Sequence, residues 1–476
     1  LLLATQHYDY SCAARCPYWD SCYLCSSPGS PPLLGVYSRP GKYYWLKYYL
    51  VKFALERRRK AARANRKRAD YNVQQWGGDG HRDTRELEAK QVLPEGRSNA
   101  ADCVFFDGSN AEGFYLTLGT AQRPNDVINL FFIVRIPDVG TFVSKSLHYN
   151  TNVKSVKCNS HYKTECGFDV VCVEPMRRWR LKFDGILVRD RNNAIDTTAI
   201  GGSDAPSDDS GGIRASFDFE WTNFGDHFDF DLECSSEAIA HSLAVEPWNR
   251  EIFARLKRSH QVHYEQFGFL EGEFAIGDRS FKNIRLTSMR DHTITAYRAW
   301  NDLRRYIMII YHLEDGTCVH TSLISMPGVV FSHLQFGYVI TPDQQKLAVD
   351  KIDFCLADIG EDKHFPDHFS YSFRAGSRHF NCKVKIIETT TFRMGLEQST
   401  FVNENMCEFE VNGLKSPQFS MIRIALLVVL LSPHSPASPL TQYSSVYGMT
   451  HSGVAHSFCV LFRCRKLRKA IAEANL

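Results

Sequence analysis

The sequence predicts an all-β body, on three observations. Short segments alternate apolar and polar residues with a period of two, the pattern of antiparallel strands with one buried face. Aromatic residues make up 13% of the 476 residues, with 32 Phe and 21 Tyr, which favours strands or an aromatic-lined interior. Only one stretch of the central region, "PWNREIFARLKRS" at residues 247–259, reads as a helix, with Pro247 in its first turn.

The alternation is plainest in "FDFEW", where Phe217, Phe219 and Trp221 share one side and Asp218 and Glu220 the other. "RWRLKF" sets Trp179, Leu181 and Phe183 against Arg178, Arg180 and Lys182, and "FGYVI", "FSYSF" and "CKVKIIE" continue the period. Two β-domains are expected, over residues 100–235 and 236–415. Residues 1–40, rich in Cys, Ser and Pro, are expected to be disordered. Residues 41–70 are expected to form an aromatic-basic helix, "YYWLKYYLVKFALERRRKAARANRKR" at its centre. The stretch after Lys415, residues 416–476, is neither periodic nor like the body and is expected to be disordered.

Net charge is +3, but residues 56–68 alone carry +7 and residues 416–476 carry +5, leaving the rest at −9. An acidic body with basic ends argues against nucleic acid as a partner. The aromatic stem and polybasic run at residues 43–68 suit a membrane surface; a solvated linker helix is the plainer alternative. The 15 cysteines have no disulfide-scaffold spacing and suggest reduced thiols and a cytoplasmic setting, peripheral to a membrane if residues 43–68 bind one. Cys12, Cys16, Cys22 and Cys25 match no standard zinc module, and His227, Asp229 and Asp231 read more simply as the polar side of an edge strand than as metal ligands. No metal and no cofactor is expected.

One segment concentrates chemistry: "SMRDHTITAYRAW", residues 288–300. If it is extended, Arg290 and Asp291 point to opposite sides while Asp291 and Thr293 share one. Arg290, Asp291, His292 and Arg298 are expected to form a charged rim at a barrel mouth with Trp300 packed behind, Asp291 taking its cationic partner from the other three. Asp291 and His292 are the candidate acid–base pair, and the same five residues the candidate ligand contacts.

Several blocks, among them "DCVFFDGSNAEGFYLTLG", "EPMRRWRLKFDGILV", "HYEQFGFLEGEFAIGDRSFKNIRLTSMRDH", "RRYIMIIYHLEDGTCVH" and "CEFEVNGLK", together resemble the N-terminal region of invertebrate phosphoenolpyruvate synthase-like proteins. That region is similar to the paired lipocalin-like β-domains of carotenoid-hydratase type. The resemblance spans roughly residues 100–415. It implies two consecutive lipocalin-like barrels or sandwiches, and a family motif Arg-Asp-His-Ser-Trp-Gly that Arg290, Asp291 and His292 match but Thr293, Ile294 and Thr295 do not. The phosphate loop and phosphohistidine region of a phosphoenolpyruvate synthase are not readable in the sequence. The leading expectation is therefore a non-catalytic binding or regulatory β-module for a lipid or another apolar or amphipathic molecule. The alternatives are a hydratase- or isomerase-like enzyme using Asp291 and His292, and the phosphotransferase activity that the family name implies.

Overall fold

A computed structural model describes residues 31–66, 84–94, 96–158, 160–190, 212–361, 365–396, 398–415 and 420–427. The remaining residues, which include the four N-terminal cysteines and the Gly/Ser/Asp stretch 191–211, lie outside the described residues.

The alternating segments fold as two antiparallel rings. The first contains β1 (Ala101–Ser109), β2 (Tyr115–Arg123), β3 (Val127–Ile136), β4 (Gly140–Ser144), β5 (Arg178–Arg189), β6 (Ile213–Asn223), β7 (Gln261–Ile276) and β8 (Arg279–Thr295). Each strand pairs with the next in this order, and β8 pairs back onto β1, so the ring closes. The second contains β9 (Arg305–His312), β10 (Cys318–Ser325), β11 (Leu334–Ile340), β12 (Lys346–Ile352), β13 (His368–Ala375), β14 (Arg378–Met394), β15 (Thr400–Val411) and β16 (Ser420–Leu427). It closes in the same manner, β16 lying between β15 and β9. These are two up-and-down, lipocalin-like barrels, a size at which side chains can fill the interior.

Two expected boundaries move. Residues 261–295 lie in the first ring and not in a second domain starting at 236, because β7 and β8 supply the two pairings that close it. Residues 420–427, expected to be disordered tail, are the strand that closes the second ring. Residues 33–37, expected to be disordered, form a turn closed by the Leu33–Tyr37 bridge, with Tyr37 buried in the second core.

The period-two reading holds in the first interior. Trp179, Leu181 and Phe183 face Phe217, Phe219 and Trp221 there, while Arg180 and Asp218 pair outside at 2.7 Å. The outer face of this ring is not free. Phe105, Phe131, Phe267 and Met289 pack with Ile310, Tyr338, Phe392 and Met406 of the second ring in a shared core. Strands facing both interior and shared core, such as β1, are buried at every residue and lose their alternation.

Among the described residues four helices of five residues or more complete the fold: α1 (Tyr44–Arg66), α2 (Thr84–Glu88), α3 (Ser236–Ala244) and α4 (Arg250–Arg258). Tyr44, Tyr48, Val51 and Leu55 recur at helical spacing along α1 and pack against Ala240, Leu243 and Ala244 of α3. The expected helix at 247–259 starts later than Pro247, because the Asn249 side chain accepts from the Ile252 N–H and sets the first turn.

Gly337 gives one test of this packing. It sits in β11 at φ +150°, and a Cβ there would lie 2.2 Å from the His320 carbonyl oxygen of β10. Gly337→Ala is expected to destabilise the chain by about 2 kcal/mol, read as a lower thermal midpoint. An unchanged melt would mean that the two strands are not this close.

Candidate functional site

The motif Arg290-Asp291-His292 lies inside a strand, not in a connection at a rim. β8 runs through it to Thr295, and Arg290 and His292 are 0% exposed. Alternation divides it as the sequence predicts: Arg290 and His292 point into the first ring, and Asp291, on the opposite side, joins the face covered by the second ring. Two of the three cationic partners expected for Asp291, Arg290 and His292, are therefore paired on the interior side, with Glu88 and Asp102. Arg298 and Trp300 follow in the half-buried connection, the guanidinium of Arg298 5.5 Å from the Trp300 ring centre. Both Arg298 and Asp291 act electrostatically on the Cys103 thiol.

The interior half of the motif meets residues that the sequence did not single out. β1 places Val104 opposite His292 and Phe106 opposite Arg290, while β7 places Tyr264 and Gln266 opposite the same pair. Two residues above Val104 on the interior side is Asp102, whose Oδ1 is 2.7 Å from His292 Nε2 and accepts from the Tyr162 hydroxyl at 3.0 Å. The other imidazole nitrogen, Nδ1, lies 2.7 Å from the Tyr264 hydroxyl.

Glu88, the last residue of α2, completes the cluster from outside the sheet. Its carboxylate accepts from Tyr264 Oη at 2.6 Å, from Trp179 Nε1 at 2.7 Å and from Arg290 Nη2 at 2.8 Å. Gln266 also takes a hydrogen bond from Arg290. The Arg290 guanidinium stands 5.0 Å from the Trp221 ring centre and 5.3 Å from that of Trp179, and its Nε and Nη1 have no hydrogen-bond partner.

These contacts set the charges. Burial lowers the pKa of His292, but hydrogen bonds and attraction from Asp102 and Glu88 outweigh it and hold the imidazole at about 9. Burial raises that of Glu88, yet the Arg290 charge, with His292 and Tyr264, keeps it well below the usual carboxylate range. Burial and the Glu88 charge push the Tyr264 phenol well above 10.0. At neutral pH the cluster thus holds an imidazolium and a guanidinium against two carboxylates. An unbroken hydrogen-bond chain runs Asp102–His292–Tyr264–Glu88.

A second buried set lies between the rings. Glu265 Oε2 is 2.6 Å from His320 Nδ1, its Oε1 is 3.0 Å from His263 Nε2, and His320 Nε2 is 2.6 Å from Ser322 Oγ. His263 and Glu265 lie two apart on β7, and His320 of the second ring joins them. His241 is elsewhere, its Nδ1 against the Tyr44 hydroxyl of α1. Asp229 caps a one-turn helix, Phe230–Glu233, and Asp231, within it, pairs with His260 at 2.9 Å, so His227, Asp229 and Asp231 do not share one face of an edge strand. Among the described residues no group of three or more His, Cys, Asp or Glu could hold a metal ion.

Closed rings and this interior cluster define a paired lipocalin-like barrel protein with a carboxylate–imidazole–tyrosine centre. The chain belongs to a family of unknown function, DUF8627, which matches residues 24–416. No curated protein sequence matches it. Among solved structures it is similar to a protein described as AttH from Nitrosomonas europaea, at 9% identity and a TM-score of 0.42, over 72% of this chain and 99% of that one. It is also similar to kievitone hydratase from Nectria haematococca, at 7% identity and a TM-score of 0.36, over 71% of this chain and 94% of that one. CghA with Sch210972 matches at 9% identity and 0.38, over 72% and 94%. None of these findings supports the phosphoenolpyruvate synthase part of the sequence resemblance.

Proposed function

We propose that the chain is an acid–base enzyme of the hydratase or isomerase class acting on an apolar, oxygen-bearing substrate. Its proton-handling groups are His292, Tyr264, Glu88 and Asp102, with Arg290 binding substrate oxygen; Asp291 is not among them. The observation that carries this reading is the unbroken chain Asp102–His292–Tyr264–Glu88, set in the aromatic end of the first barrel. Buried ion networks are seldom the cheapest way to stabilise a core, and ionisable groups with strongly shifted pKa concentrate at functional sites.

In this reading His292, protonated at neutral pH, is the donor. Its Nδ1–H faces the Tyr264 oxygen, whose own O–H is accepted by the ionised Glu88; when the imidazolium gives its proton to the substrate, the proton released by the adding water, or by the carbon that loses one as a double bond shifts, returns to the neutral ring. Asp102 fixes the ring and favours its charged form. The free Nε and Nη1 of Arg290 suit a carbonyl oxygen that gains negative charge as water adds or a double bond shifts. Substrate would reach the cluster beside α2, which is exposed from Thr84 to Glu86 while Glu88 is held by Arg290, Trp179 and Tyr264.

The test is isotopic. Purified chain is incubated with a panel of apolar alkenes and α,β-unsaturated ketones in ¹⁸O-water and in deuterium oxide, and products are analysed by mass spectrometry. Label uptake is expected, lost in His292→Gln and Tyr264→Phe and retained in Asp291→Asn. Absence of uptake across the panel, or uptake undiminished in both interior variants, would reject the reading.

A second reading has its own observation. The cluster balances two cations against two anions and is fully buried, as an ionic plug closing the barrel of a non-catalytic binding module would be. Tyr264→Phe would then change stability and nothing else.

A further inference from the structure

α1 has two apolar faces, and the barrels cover only one. Tyr44, Tyr48, Val51 and Leu55 are buried against α3. On the opposite side Trp45, Leu46, Tyr49, Leu50 and Phe53 recur at helical spacing and are 59%, 45%, 48%, 40% and 50% exposed. They are five of the thirteen large hydrophobic residues exposed among the described residues, gathered on about two and a half turns of one helix.

The charges around this stripe have one sign in excess. Lys42 is exposed before it, and Arg57 and Lys60 are exposed on the same side after it, with Glu56 the one acid there. The Arg57 guanidinium lies 5.7 Å from the Phe53 ring centre, so base and aromatic form one continuous surface. The sequence continues basic, with Arg58, Arg59, Arg63, Arg66, Lys67 and Arg68.

We propose that α1 docks the barrels onto an anionic lipid surface, lying in the plane of the bilayer interface. Trp45, Tyr49 and Phe53 enter the headgroup–acyl boundary, where amphipathic rings are at home, while Arg57 and Lys60 meet anionic headgroups. The charge excess selects this occupant over a second copy of the chain, whose α1 would present the same positive charge. No described helix is long and apolar enough to cross a bilayer, so the contact is one of surface. A helix already fixed to the body by its other face loses little further freedom on binding.

The experiment is co-sedimentation of the full chain with vesicles of phosphatidylcholine alone and of phosphatidylcholine with phosphatidylserine. Binding is expected to the anionic vesicles only and to weaken with salt. Arg57→Gln with Lys60→Gln should lower the partition coefficient about thirtyfold, at about 1 kcal/mol for each basic residue. Trp45→Ser with Phe53→Ser should lower it about tenfold or more. Both pairs are exposed, so the thermal midpoint should not move, which separates lost binding from lost folding. Failure to bind anionic vesicles, binding unchanged in both double variants, or sedimentation without vesicles through self-association would overturn the proposal.

Discussion

Glu88→Ala is expected to destabilise the chain by about 4 kcal/mol, a large effect for one substitution outside the barrel strands. The Glu88 carboxylate accepts hydrogen bonds from Arg290, Trp179 and Tyr264, all three buried. Without it the Arg290 guanidinium keeps its burial and its two unpartnered nitrogens but loses its counter-charge, and the Trp179 and Tyr264 donors lose their acceptor. Denaturant unfolding should show a lower midpoint with little change in slope. The double variant Glu88→Leu with Arg290→Met removes both charges and refills the space, so it should recover most of the loss. A midpoint of Glu88→Ala equal to that of the parent would mean that α2 does not close the barrel end. The direction with pH follows from the lowered pKa of Glu88. This contribution is present above the ordinary carboxylate range and is lost as pH falls below it.

The fold was legible where one face of a strand meets solvent. "FDFEW" and "RWRLKF" alternate because Asp218 and Arg180 face water outside while Phe219 and Leu181 fill the barrel. It was not legible where the second ring covers the first. There Asp291 is only 8% exposed, and its strand reads as a mixture of charged and apolar residues that looks like a connection. The rim expected around Asp291 failed for that reason.

The site was half legible. Arg290 and His292 stand out as charged residues in an otherwise strand-like segment, and the rule of alternating sides assigns them to one face. Their partners carry weaker signals. Asp102 is one of two acids in the mostly apolar run "ADCVFFDGS", and Tyr264 lies between the more conspicuous His263 and Glu265, which belong to the other face. Glu88 comes from a five-residue helix that no periodicity announces. Depth in the barrel, and not spacing in sequence, brings these five together.

Stability is expected to fall by roughly 2–3 kcal/mol as pH rises from about 6.5 to 8.5, and His292 is the cause. Its folded pKa, about 9, stands above the value near 6.5 that an unfolded histidine has. Below the unfolded value both states are protonated and the full stabilisation is present. Between the two values the unfolded chain has released the proton that the folded chain still holds, so folding loses ground with each step in pH. The loss is complete once pH passes the folded value. Other groups are separable by window. His312, buried, and His333, half-buried, are held down by desolvation at about 3 and about 4, and their stabilisation is lost as pH falls below about 6.5, on the other side. The buried thiols of Cys234 and Cys318, pushed by burial well above the ordinary thiol range, weaken folding only once unfolded thiols ionise, above about 8.5. Unfolding free energies of the parent and of His292→Gln are therefore compared between these limits. The variant, with no charge to lose, should be less stable at the acid end and nearly flat across the window, so the two curves converge as pH rises. Parallel curves would mean that His292 does not carry its proton in the folded protein, and with that the donor assigned to the Asp102–His292–Tyr264–Glu88 chain would be gone.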